Sequence, residues 1–205
     1  MLSNFLKLTS FAFLLSVLPG VAHADYYVWD HEKTGVTLTY PDTWKLANNQ
    51  KPSDVFTVVG PNDYRDNPRC SLNVRDDRRF LIFPPEYARS VQKVAYSSTF
   101  WETEVRKRYN NPEVIKFGDN AGLGKGFGSY VIVDYIENHG DKDIEMRALA
   151  NATLYAGQAY YFECSARRDG FDKWQPLFQS IGGSIDFQKV YSEKAHGFYR
   201  DFINN

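Results

Sequence analysis

The residues best suited to chemistry lie between positions 137 and 145, where acidic side chains surround a histidine. His139, Asp141 and Asp143 bring together an imidazole and two carboxylates, a ligand set that can bind a divalent metal ion. The segment His139-Gly140-Asp141-Lys142 is also typical of a hairpin turn, and polar side chains are common at such turns. We interpret it as a solvated turn, and a metal site at these three residues is the alternative.

Nucleophilic catalysis has little support in the sequence. Ser129 lacks the Gly-x-Ser-x-Gly pattern of a serine hydrolase. A reactive cysteine needs an accessible, electropositive environment, and neither the segment around Cys70 nor that around Cys164 indicates one. These patterns therefore indicate no catalytic residue and no cofactor.

The two cysteines are better explained by structure than by reactivity. Cys70 shares one face of an alternating run with Leu72 and Val74, and Cys164 does so with Phe162. Both sulfurs therefore point toward the core, from strands that could be neighbours. In an oxidising compartment the two residues have one possible intramolecular pairing, a Cys70–Cys164 disulfide. Two buried free thiols are the alternative.

Strand signals recur along most of the chain, separated by short turns. We predict them near the following positions: 26–32, 36–40, 55–59, 69–75, 114–117, 129–138, 143–155, the Cys164 segment and 184–187. Consecutive strands joined by short turns indicate an antiparallel sheet, which amphipathic helices must cover.

Two helices are predicted between these strands. The first is long, opens at Pro84-Pro85 and continues through Arg108. Its buried side is predicted to contain Tyr87, Val91, Val94, Trp101 and Val105. The pair Glu104 and Arg108 is placed on its outer side. The second helix follows an N-cap at Asp169, buries Phe171, Trp174, Phe178 and Ile181, and ends at Gly182-Gly183.

The N-terminus has the features of a bacterial export signal. Lys7 precedes an apolar run from Leu8 to Leu18, which is too short to span a bilayer, and Ala22-His23-Ala24 fits a cleavage site. An uncleaved anchor is the alternative. We expect a cleaved signal peptide at residues 1–24, one domain at residues 25–187 and a C-terminal extension at residues 188–205. The functional chain would then be periplasmic or secreted, with no membrane anchor after cleavage.

Charge and composition limit the possible partners. The full chain has a formal net charge of −1, and Lys7 is the one charged residue of segment 1–24. A chain this close to neutrality has no general attraction for nucleic acid. Aromatic residues make up 16% of the sequence, which suits a β-rich core and leaves side chains for a binding surface.

The opening and closing segments resemble those of the PsbP-like superfamily. This superfamily includes the photosystem extrinsic protein, the Ran-binding Mog proteins and bacterial DcrB-type lipoproteins. The opening strand, from Gly35 to Pro41 and followed by Trp44, resembles the family's strand, Tyr-Pro and Trp element. The run from Phe178 to Phe187 resembles its closing helix and strand. The resemblance implies an α+β fold, an αβα sandwich with a central antiparallel sheet, and a non-catalytic role in protein binding.

Aromatic residues outside the family core are the candidate partner-binding residues. They are Tyr26, Tyr27 and Trp29 before the first family strand, and Phe198, Tyr199 and Phe202 after the last. Packing onto the sheet edge is the alternative for each. We predict an exported binding module that acts on an unidentified protein partner, with a secreted effector as one form of this role. The alternative function is a small hydrolase, or a ligand-binding or metal-binding protein, with a pocket near the 137–145 hairpin.

Overall fold

The fold was analysed in a computed structural model. It describes residues 25–187 except residues 50, 62–64, 80–81, 84–86, 120 and 125, so the predicted signal peptide and C-terminal extension lie outside the described residues. Nine strands and three helices are present in this part of the chain. In order they are β1 (Tyr26–His31), β2 (Val36–Pro41), β3 (Lys45–Leu46), β4 (Asp54–Val59), β5 (Arg69–Asp76), α1 (Ala88–Ala95), α2 (Ser98–Arg108), β6 (Asn110–Gly118), β7 (Ser129–His139), β8 (Lys142–Tyr155), β9 (Gln158–Arg167) and α3 (Phe171–Gly183).

Seven strands form one antiparallel sheet in the order β3-β4-β5-β9-β8-β7-β6. Strands β1 and β2 form a separate antiparallel hairpin. The predicted antiparallel α+β fold is thus confirmed. Within the described residues, no helix is long and apolar enough to cross a membrane.

Two hydrophobic cores lie on opposite faces of the large sheet. The first core packs the β1–β2 hairpin and α3 against the sheet, with Leu38, Phe162 and Phe178 fully buried. The second core packs α1 and α2 against β7, β8 and β9, around Trp101 and Met146. The alternation of side chains along each strand assigns them to these faces.

The disulfide lies at the junction between sequence-distant parts of the sheet. Cys70 of β5 and Cys164 of β9 are directly opposite each other in the strand register, and a disulfide joins them. Both cysteines are buried in the first core, as the alternation predicted. The bond therefore crosses the β5–β9 pairing, which connects β3, β4 and β5 to the remainder of the sheet.

The predicted long helix is wrong, because the chain breaks between Tyr96 and Ser97. Tyr96 leaves the helical conformation with φ −123° and ψ 48°, and Ser97 begins α2 as its N-cap. The Ser97 side chain accepts a hydrogen bond from the backbone N–H of Phe100. The Tyr96 carbonyl accepts a hydrogen bond of 2.7 Å from the Ser129 hydroxyl, which also accepts one from Trp101 Nε1. Side-chain capping thus satisfies the backbone groups that the break exposes.

The predicted buried side is also wrong in the first half of this predicted helix. Tyr87 is 53% exposed and Val94 is 71% exposed. Gln92 is buried instead, and its amide exchanges two hydrogen bonds with the backbone of Leu154, at 2.7 and 3.0 Å. A paired polar residue can therefore occupy a buried position that hydrophobicity alone assigns to a neighbour. In α2, Trp101 and Val105 are buried as predicted.

Two further details of the helices differ from expectation. Glu104 and Arg108 form their pair at 2.6 Å, but both side chains are largely buried rather than on the outer side of α2. The N-cap of α3 is Gly170 rather than Asp169, and no side chain caps this helix. The aromatic side chains that α3 buries are those predicted, and the helix ends at Gly183.

Candidate binding site

A polar recess opens on the sheet face that α1 and α2 cover only in part. In the described structure, the core on this face contains no residue of β4 or β5. The recess lies over that uncovered area, has a volume of about 360 Å³, and is lined from β4, β5, β7, β9 and the end of α2. Its charged and aromatic lining includes Asp54, Arg69, Arg108, Tyr109, Glu137 and Glu163. This volume falls at the lower end of the range for ligand sites.

Arg69 forms one wall of the recess from the first position of β5. Its Nη2 donates to Glu137 Oε2 at 2.8 Å and to the Tyr135 hydroxyl at 3.4 Å, and its Nε donates to Ser165 Oγ at 3.2 Å. Burial opposes the charged form of Arg69, but Tyr135 and Glu137 outweigh that effect and raise its pKa. The guanidinium is therefore held in place by groups from two other strands, β7 and β9.

Arg108, at the last position of α2, is a second arginine in the lining of the recess. Its Nε donates to Glu104 Oε1 at 2.6 Å, and its guanidinium carbon lies 3.6 Å from the centre of the Tyr161 ring. Burial disfavours the cation, but Tyr161 and Glu104 raise the pKa of Arg108 above its ordinary value. A guanidinium on a tyrosine face is a cation–π arrangement, so the local chemistry already accommodates an organic cation.

Three buried tyrosines surround Glu163. Burial, together with the charge of Glu163, raises the pKa of Tyr135 to about 12 and that of Tyr109 well above its ordinary value. The same two causes raise the pKa of Tyr161. The hydroxyls of Tyr109 and Tyr161 interact with each other. Among the described residues, the Oε2 atom of Glu163 is buried without a hydrogen-bond partner. Unpaired buried polar atoms are uncommon and costly, so this cluster has hydrogen-bonding capacity that the described residues do not use.

The predicted metal-binding hairpin forms, but its candidate ligands do not converge. Gly140 and Asp141 lie at the tip between β7 and β8, and His139, Asp141 and Asp143 are exposed. His139 Nε2 lies 3.5 Å from Glu137 Oε1. In the part of the chain that the structure describes, no group of three or more His, Cys, Asp or Glu side chains is arranged to hold a metal ion. The geometry adds no support for a metal site here, which stays a prediction.

The aromatic residues of β1 divide into exposed and packed side chains. Tyr26 is 50% exposed, Tyr27 is 56% exposed and the adjacent Val28 is 71% exposed. Trp29 turns toward the first core, with its ring centre 5.0 Å from that of Phe56. The candidate residues Phe198, Tyr199 and Phe202 lie outside the described residues.

Sequence reasoning considered a pocket near the 137–145 hairpin as an alternative, but it did not identify the residues from β4, β5 and β9 that line the recess. One signal was present, because Tyr161, Glu163 and Ser165 alternate with the inward-facing residues of β9 and must share the opposite sheet face. Polar side chains on the face of β9 opposite its cysteine indicate that this face of the sheet is partly polar. The pairing of Arg69 with Glu137 could not be anticipated, since the two residues belong to strands that are not neighbours.

The comparison with solved structures defines the class of fold. The cyanobacterial PsbP protein of Synechocystis (CyanoP) superposes with a TM-score of 0.50 at 18% sequence identity, over 85% of this chain and 99% of that one. At this identity the similarity shows the fold, which is PsbP-like, and the resemblance noted in the sequence is confirmed to that extent.

Other solved structures are similar at lower scores. LpqN of Mycobacterium tuberculosis, described as involved in cell envelope biogenesis, has a TM-score of 0.47 at 16% identity, covering 81% of this chain and 92% of that one. The Ran-binding protein Mog1p of Saccharomyces cerevisiae has a TM-score of 0.47 at 8% identity, covering 80% and 96%. No protein-family model matches the sequence, and the search of curated proteins finds no significant match.

Proposed function

We propose that the protein is an exported, non-catalytic binding module that acts on a protein partner through the exposed surface of β1. The observation that carries this proposal is the run Tyr26-Tyr27-Val28, in which three consecutive large side chains are at least half exposed. Contiguous exposed apolar surface is typical of interaction sites, and tyrosine is enriched among residues that dominate binding energy.

The geometry of β1 favours an extended segment of the partner. Within the described part of the chain, the strand pairing of β1 is with β2 alone, so its other edge is available for an added strand. Strand addition would supply backbone hydrogen bonds, and Tyr26 and Val28, which share one face, would contact alternate side chains of the partner. This arrangement needs no conformational change in the first core.

Export is supported by the disulfide. Disulfides persist in oxidising compartments and are uncommon in the cytosol, and Cys70 and Cys164 form one in the centre of the sheet. We propose cleavage after residue 24, a single domain at residues 25–187 and a separate extension at residues 188–205. The periplasm and the extracellular space are both compatible with this chemistry, and release from the cell would make the protein an effector.

Site-specific photo-crosslinking tests the proposal. A photoreactive phenylalanine analogue replaces Tyr26 in the full chain, expressed in the producing cells, and Tyr87 serves as the matched control because it is also a half-exposed tyrosine. We expect one discrete protein adduct at position 26 that is absent at position 87. The Val28→Asp substitution should abolish the adduct, because a charge on this strand face opposes apolar docking. Identical adducts at both positions, or none at position 26, would contradict the proposal.

A second candidate function is ligand binding in the recess. It is favoured by one observation, that Glu137 and Asn138 at the base of the predicted hairpin line a recess of about 360 Å³. The recess lies on the sheet face opposite the β1–β2 hairpin, so the two functions can be separated by substitution.

A further inference from the structure

We propose that the recess binds an organic cation, an ammonium or guanidinium group, whose charge is balanced by Glu163. The site is distinct from the β1 surface, which packs with the opposite core. Two features favour a cation: the pairing of the other charged groups around the recess, and the tyrosines beside Glu163.

The charges of the recess leave one carboxylate oxygen without a partner. Arg69 is matched to Glu137 at 2.8 Å, and Arg108 is matched to Glu104 at 2.6 Å. Glu163 Oε2 is buried and receives no hydrogen bond from any described residue. Both arginines already have carboxylate partners, and Arg108 also interacts with Glu163 through its charge, so an entering anion would have to displace one of these carboxylates. An entering cation would instead satisfy the unpaired acceptor.

The remaining charged groups at the recess do not change this balance. Asp54 is buried, and its carboxylate accepts hydrogen bonds from Asn73 Nδ2 at 3.3 Å and from the Lys51 backbone N–H at 3.1 Å. The Lys51 residue itself is exposed. The lining therefore carries three cationic and three anionic residues, and Glu104 behind Arg108 adds one more negative charge.

The aromatic walls have the geometry that an organic cation prefers. Tyr109 and Tyr135 pack with their ring centres 4.6 Å apart, and both side chains line the recess. Tyr109 is more than nine-tenths buried, and its hydroxyl donates toward that of Tyr161, which leaves its oxygen free to accept. That hydroxyl can accept a second N–H from the guest, while the ring faces stabilise its charge. Carboxylate, hydroxyl and aromatic ring together select a cationic nitrogen group.

Two sources can supply such a group. One is a free amine or guanidine, and the other is a lysine or arginine side chain of a protein. The recess volume of about 360 Å³ accepts either. A lysine or arginine side chain would place its peptide backbone at the mouth of the recess, whereas a free amine or guanidine would not.

The test is a titration followed by amide chemical shifts of the oxidised protein. The probes are butylammonium, butylguanidinium, and the capped residues N-acetyl-lysine-N-methylamide and N-acetyl-arginine-N-methylamide. Butyrate and butanol are the matched anionic and neutral probes. We expect saturable shifts at Glu163, Ser165 and Tyr109 with the cations in the millimolar range, and none with butyrate or butanol. Binding of the capped residues assigns the site to a side chain, and exclusion of them assigns it to a free amine.

Two variants separate recognition from folding. Glu163→Gln keeps the shape and removes the charge, so it should weaken cation binding by at least about tenfold. Tyr109→Phe should weaken it less, and Glu102→Gln, at an exposed position of α2, should leave it unchanged. The spectrum of each unliganded variant checks that the fold is retained. Equal binding by Glu163→Gln and the native protein, or equal shifts with butyrate, would overturn the proposal, as would the absence of saturable binding by every cation.

Discussion

Replacing Cys70 and Cys164 together by alanine should lower the free energy of unfolding by about 4–5 kcal/mol. The disulfide closes a loop with a sequence separation of 94 residues. In the chain-entropy treatment, a loop of that length restricts the unfolded chain by about 4.7 kcal/mol at 25 °C. This is a large fraction of the 5–15 kcal/mol that is typical of a domain. The position of the bond makes the effect global, because it spans the β5–β9 junction of the sheet.

The single variants allow the cross-link to be separated from packing. Cys70→Ala and Cys164→Ala each break the same bond, so each should show nearly the full loss. The second substitution should then add about 1 kcal/mol, the cost of a small buried group. The free energies should therefore be strongly non-additive, as expected for residues that act as one unit.

Urea unfolding of the disulfide-bonded native protein and of the three variants, followed by circular dichroism, measures these quantities. With a slope of about 2 kcal/mol per molar urea, the midpoint of the double variant should fall by about 2 M. Its slope should increase, because the unfolded chain without the cross-link exposes more surface. If the two single losses were additive and the double variant lost no more than about 2 kcal/mol, the cross-link would not be restricting the unfolded chain.

Two further predictions concern buried polar groups. Ser129→Ala leaves the Trp101 indole N–H and the Tyr96 carbonyl unpaired. The free energy of unfolding in urea should therefore fall by about 2–4 kcal/mol. A decrease no larger than that of the exposed control Ser98→Ala would contradict this prediction. Burial raises the pKa of Tyr135 to about 12, so the folded state favours its neutral form. Its stabilising contribution is complete below pH 10 and is lost between pH 10 and pH 12, by roughly 2–3 kcal/mol. Urea midpoints at pH 9 and 12 should show a smaller alkaline loss in Tyr135→Phe, and an equal decline would refute the assignment.

The strands could be predicted because the alternation of apolar and polar residues is visible in the local sequence. Alternation at Cys70, Leu72 and Val74 indicated a strand with one face in the core, and the structure has β5 there with both Cys70 and Leu72 buried. The same rule placed Cys164 on the matching face of β9. The pairing of these two strands was then limited by chemistry, since the chain has two cysteines.

The helix break was harder to predict because its cause is partly remote. Ser97 has the side chain of an N-cap, which is a local signal. The carbonyl freed at Tyr96 is satisfied by Ser129, which follows it by more than thirty positions on β7. A prediction from helical periodicity uses only the local sequence, so it cannot include a hydrogen bond from another element. The burial of Gln92 has the same explanation, because its partner Leu154 belongs to β8.

The recess illustrates a further limit of sequence reasoning. It exists because α2 ends at Arg108 and leaves the β5 side of the sheet face uncovered. The area covered by a helix depends on where it crosses the sheet, and no residue pattern encodes that position directly. The exposed state of Tyr26 and Tyr27 was likewise left open by the sequence, because packing and exposure are compatible with the same residue types.

The pairing of β5 with β9 has a consequence for the order in which the protein can be assembled. Synthesis proceeds from the N-terminus, so β4 and β5 are complete long before residues 158–167 are made. Until then β5 has β4 as its one sheet neighbour, and the small β3-β4-β5 unit, in which β3 has two residues, is marginally stable without the rest of the sheet. The large sheet therefore cannot be completed until β9 has been synthesised. Folding that depends on contacts between residues so distant in the sequence is slow. Strand β9, the last strand in the described part of the chain, joins β3, β4 and β5 to β8, β7 and β6.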